Sequence, residues 1–78
     1  MNESEIIENH FRKLDDIRNT AQSLMEKIGQ LQAELFNNPD KDLEKSLNEI
    51  NNSISDGYQI IEEVVTDYEN NKVNPSRG

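Results

Sequence analysis

LQAELFNNPDKDLEKSL, residues 31–47, decides the fold. Up to Leu35 the apolar side chains recur at helical spacing. Asn37, Asn38, Pro39 and Asp40 interrupt them, and Leu43 and Leu47 resume the pattern. Proline pushes the residue before it out of the α region, so a helix stops here, while Asn38 and Pro39 read as N-cap and first position of the next one. A connection this short folds the chain back on itself.

Outward from the turn, the two halves answer each other. The first carries Ile7, His10, Leu14, Ile17, Ala21, Leu24, Ile28, Leu31 and Leu35, and the second Leu43, Leu47, Ile50, Ile54, Gly57, Ile61, Val64 and Tyr68, at spacings of three and four. Facing members pair so that their numbers add to 78, His10 with Tyr68 at the open end and Leu35 with Leu43 at the turn. The pattern predicts an all-α, coiled-coil-like antiparallel two-helix hairpin over residues 1–70, with helices at 3–36 and 39–70 and a turn at 37–39. Asn2 or Ser4 caps the first helix. Residues 71–78, polar and broken by Pro75, are expected to be a disordered tail.

A chain of 78 residues without cysteine has neither the size for a comfortable single core nor a covalent or thiolate-metal staple, which leaves association as the stabilising device. Sixteen acidic against eight basic residues give a net charge of −8, which argues against direct nucleic-acid or membrane binding and for basic partners. The absence of an apolar spanning run or a basic, apolar leader makes a cytoplasmic location the default expectation.

Towards the open end the apolar stripe widens. Ile6, Phe11 and Met25 flank the first seam, and Tyr58, Ile60 and Val65 the second. A stripe wider than one partner needs predicts a binding surface centred on these six residues, completing a four-helix bundle with a second copy or with helices of another protein. Glu3, Glu5, Glu8, Glu62, Glu63, Asp67 and Glu69 form an acidic rim around it. At the waist, Ala21 opposite Gly57 either draws the backbones together or leaves a notch for a third helix.

His10, the sole histidine, is expected to be structural, set against Tyr68. Phosphoryl-accepting histidines occur in dimeric helical hairpins, but His10-Phe11-Arg12-Lys13-Leu14 lacks that motif. No glutamate stands three residues before His10 to make a di-iron pair. No catalytic, cofactor-binding or metal-ligating set is therefore expected, and the chain is read as non-enzymatic.

Two short stretches carry resemblances. Tyr58-Gln59-Ile60-Ile61-Glu62 resembles the Tyr-x-x-x-Asp/Glu signal of hairpin proteins exported by type VII secretion, with Asn37-Asn38-Pro39-Asp40 where that family has Trp-x-Gly. The chain's size and acidity also resemble the small aspartyl-phosphate phosphatases of sporulating bacteria. Ser46-Leu47-Asn48-Glu49-Ile50-Asn51 stands nearest their Ser-Gln-Glu-Leu-Asp and has asparagine in place of aspartate. The expected function is a helical protein-protein interaction module or small assembly subunit, binding itself or a helical partner. The alternatives are an acidic inhibitor that mimics nucleic acid and blocks a basic groove, and an exported hairpin.

Overall fold

In the computed structural model, which describes residues 2–74, α1 (Glu3–Asn37) and α2 (Lys41–Tyr68) pack against each other as a hairpin measuring 53 × 22 × 15 Å. The length is that of α1 itself: 35 residues at about 1.5 Å each account for it.

The caps explain where the helices begin and end. Asn2 is extended, and its Oδ1 accepts the Glu5 N–H at 2.8 Å, with Glu3 and Glu5 in the first turn where the helix dipole favours negative charge. α1 ends at Asn38, which leaves the α region (φ −130, ψ 77) before Pro39 while its N–H still reaches the Glu34 carbonyl at 3.0 Å. The cap of α2 is Asp40 rather than Asn38. Asp40 is extended, its Oδ1 accepts the Leu43 N–H at 3.0 Å, and its carbonyl takes the first intrahelical bond from Glu44 at 2.8 Å. Pro39 thus lies in the turn and not in the helix. The carboxylate of Asp40 adds the dipole term that Asn38 lacks.

Beyond Tyr68 the chain stays helical through a π turn at Glu69–Val73, closed by the Asn74 N–H on the Glu69 carbonyl at 2.8 Å. The part of the expected tail that is described, residues 71–74, therefore continues the helix before leaving it. Residues 75–78 lie outside the described residues.

Between the helices the seam is rotated from the one that heptad spacing picks out. Ile7, Phe11, Leu14, Arg18, Ala21, Met25, Ile28, Gln32 and Leu35 of α1 are buried or half-buried, as are Leu47, Asn51, Ile54, Tyr58, Ile61, Val65 and Tyr68 of α2. Every second member of each expected seam is retained. Of the alternate members Leu31 also stays packed on the core, while others shift one residue C-terminally, from His10, Ile17 and Leu24 to Phe11, Arg18 and Met25, and from Ile50, Gly57 and Val64 to Asn51, Tyr58 and Val65. At two of these pairs the bulkier side chain takes the seam, Phe11 over His10 and Tyr58 over Gly57, whereas Arg18 and Asn51 displace the apolar Ile17 and Ile50 and Val65 displaces its identical neighbour Val64, so each helix turns as a unit.

The antiparallel register is nonetheless close to the expected one. His10 Nδ1 lies 3.3 Å from the Tyr68 hydroxyl, and Arg18 Nε lies 3.9 Å from Glu62 Oε1, pairs whose numbers add to 78 and 80. The core itself is thin. Ile28, Leu35 and Leu47 form one buried cluster with Leu31 and Ile54 packed on it, and Val65 is buried further along.

Candidate interaction surface

The rotation leaves a second apolar stripe uncovered. On α1 it comprises Ile6, Ile17 (50 % exposed) and Leu24; on α2 it comprises Leu43, Ile50 (47 % exposed), Ile60 (60 % exposed) and Val64. Ile17 and Leu24, like Ile50 and Val64, each stand one residue before a seam position. One step back along the chain turns each helix by the same amount about its own axis. Because the axes are antiparallel, the two stripes swing towards the same broad side of the hairpin and make one face.

Of the six residues expected to bind a partner, Ile6 and Ile60 are on this face. Phe11, Met25 and Tyr58 are half-buried in the seam, and Val65 is buried there at 2 % exposure, so Val65 is not part of an exposed surface. Phe11, Met25, Tyr58 and Val65 have thus taken seam places, and Ile17, Leu24, Ile50 and Val64 of the expected seam stand on the outer face instead. Side-chain bulk separates Phe11 from His10 and Tyr58 from Gly57. Spacing alone treats Gly57 and Tyr58 as equal candidates for the seam, whereas the volume each would bury does not.

Gly57 sits within the exposed face, between Ile50 and Val64 along α2. A Cβ built there would meet nothing within 4 Å, so the space over Gly57 is open and leaves a dip in the face.

The acidic rim falls into separate groups. Glu3 and Glu8 border an open groove with Ile7, Phe11, Lys72 and Val73; Glu5 and Glu8 lie beside Asn9 and Arg12; Glu62, Glu63 and Asp67 share a shallow depression with Thr66. Glu69 starts the π turn. Glu8 is held by Arg12 at 2.9 Å. Glu62 is half-buried and meets Arg18, which is also bonded to Asp15. The hydrogen bond with Glu62, then the burial of the Tyr58 hydroxyl and the charge of Glu62, hold that hydroxyl above its ordinary pKa, with Gln22 and Arg18 acting the other way.

His10 and Tyr68 meet edge to face, ring centroids 6.4 Å apart, and both belong to the open end of the hairpin. Among the described residues no group of three or more His, Asp or Glu side chains is placed to hold a metal ion. A further groove at the turn is lined by Leu35, Phe36, Pro39 and Leu47, with Phe36 90 % exposed. No helix among the described residues is long and apolar enough to cross a membrane. The chain matches no family model, no curated protein and no solved structure.

Proposed function

We propose that this chain is a non-enzymatic helical interaction module that works in the cytoplasm by packing its uncovered apolar face onto other helices. The exposed face carries the proposal. Ile6, Ile17, Leu24, Ile50, Ile60 and Val64 are each about half exposed, and covering them would contribute on the order of 5 kcal/mol. That is comparable with what a small two-helix core supplies by itself.

The arrangement suits helix-on-helix packing because the face is long, ridged and drawn from two antiparallel helices, the surface that four-helix bundles close. Light scattering across a hundredfold dilution, with circular dichroism on the same samples, tests it. The expected result is an assembly whose helicity falls as it dissociates. A chain that stays monomeric, fully helical and cooperatively folded at every concentration needs no cover for the face and overturns the proposal.

A further inference from the structure

The exposed apolar face has edges of opposite charge. Along its α1 edge stand Lys13 and Lys27, with Glu34 a further seven residues on towards the turn, and along its α2 edge Asp42, Glu49, Asp56 and Glu63, each seven residues after the last. All seven are exposed, and none enters an ion pair among the described residues. Residues spaced by seven keep one angular position on a helix, so each set borders the face along its length.

Taking that face to be an interface, as proposed above, we infer that its occupant is a second copy of this chain, related by a two-fold axis running along the hairpin, with both turns at the same end. In this arrangement α1 of each copy lies over α2 of the other. The register, in which facing residues add to about 78 to 80, sets Lys27 over the stretch of α2 between Glu49 and Asp56, and Lys13 beside Glu63. Symmetry repeats every pair on the other side.

The other face-to-face two-fold runs across the hairpin and lays α1 on α1 and α2 on α2. Lys13 then approaches Lys27 of the other copy, and the acidic ladder confronts itself. Like charges along both edges disfavour that packing. A basic partner is disfavoured for a related reason, because it would run against the lysine edge. A second copy instead satisfies both edges, which lets two chains of net charge −8 associate. The face is also large enough: a side of 53 × 22 Å exceeds the roughly 800 Å² that each partner gives to a standard interface.

The chain has no cysteine, so a spin label on Asn37→Cys at the turn reports orientation directly. The expected result is a dimer by light scattering with a label-to-label distance well below the 53 Å length of the hairpin. A dimer whose labels are separated by nearly that length overturns the orientation. A monomer of incomplete helicity overturns the second copy as occupant while leaving the interface reading in place, whereas a fully helical, cooperatively folded monomer overturns both. The interface reading fails separately if Ile17→Asp changes neither mass nor helicity. Lys27→Glu supplies a second readout, with dimerisation expected to weaken about tenfold at low salt and to recover when this variant is mixed with Glu49→Lys/Asp56→Lys. In the crosswise arrangement Lys27→Glu would face Lys13 and strengthen association, overturning the inference.

Discussion

Val64 and Val65 are consecutive and chemically identical, yet Val65 is 2 % exposed inside the hairpin and Val64 is 44 % exposed on its outer face. Truncating each to alanine therefore separates folding from association. Val65→Ala should cost the hairpin about 1–2 kcal/mol, through lost contact and the space left behind. Val64→Ala should leave the hairpin within about 0.5 kcal/mol and act on self-association. Urea unfolding at several protein concentrations distinguishes them, because only the Val64 effect should depend on concentration. Equal effects would mean that α2 is rotated from the position described.

The hairpin was legible in the sequence because spacing and proline carry it. Asn38-Pro39 stops a helix wherever it occurs, and apolar residues at threes and fours on either side leave little else for the chain to do. The partition of the apolar arc was not legible. Phe11, Met25, Tyr58 and Val65 lie one residue from His10, Leu24, Gly57 and Val64, and a heptad template accepts both sets. Packed volume favours Phe11 over His10 and Tyr58 over Gly57, but Val64 and Val65 are the same size, and there the choice follows the rotation of α2 as a unit, with the half-buried Arg18 reaching Glu62 across the seam. Such three-dimensional contacts do not show in one-dimensional spacing. For this reason only Ile6 and Ile60, of the six residues expected to bind a partner, are on the face that the structure exposes.

The helix caps give a second prediction. Asp40→Ala removes the Oδ1 acceptor of the Leu43 N–H and the charge at the start of α2, and should destabilise by about 1 kcal/mol. Asn38→Ala, at the position that sequence alone favoured as the cap, should cost less, since the Asn38 contact with Glu34 uses its backbone N–H. Thermal unfolding of the two variants ranks them, and a larger loss from Asn38→Ala would move the cap back to that residue.

Glycine substitutions probe the dip in the outer face. Gly29 and Gly57 both sit within helices, and an added Cβ meets nothing within 4 Å at either. Alanine should then stabilise each helix by up to about 1 kcal/mol through backbone entropy. Gly29→Ala is the reference. If Gly29→Ala stabilises while Gly57→Ala weakens association, the space beside Gly57 is filled by a side chain of the partner.

Tyr58 gives a prediction in alkali. Its hydroxyl is held above the ordinary value of 10.0, chiefly by Glu62, so the folded state resists forming tyrosinate more than the unfolded state does. The associated stability is fully present below the unfolded pKa. It falls as pH rises through the folded one, because the unfolded chain releases the proton first. Spectroscopic titration should show Tyr58 ionising later than an ordinary tyrosine, and Glu62→Gln should bring the titration back towards 10.0. Tyr58→Phe identifies which transition belongs to it. An unchanged titration in Glu62→Gln would mean that burial, not the carboxylate, holds the proton.

Ile17 and Phe11 make the strongest contrast, since spacing alone exchanges their roles. Phe11 is half-buried between the helices, so Phe11→Asp places a charge in the seam and should unfold the open end of the hairpin, with helicity lost at every concentration. Ile17 is half exposed on the outer face, so Ile17→Asp leaves the seam intact and should shift the chain towards monomer. A face that contributes on the order of 5 kcal/mol when covered loses a substantial part of that to a charge near its centre, and dissociation should rise by at least a hundredfold. Light scattering and circular dichroism together separate the two effects. If Ile17→Asp lost helicity at high concentration as completely as Phe11→Asp, Ile17 would belong to the seam after all and the outer face would have to be redrawn.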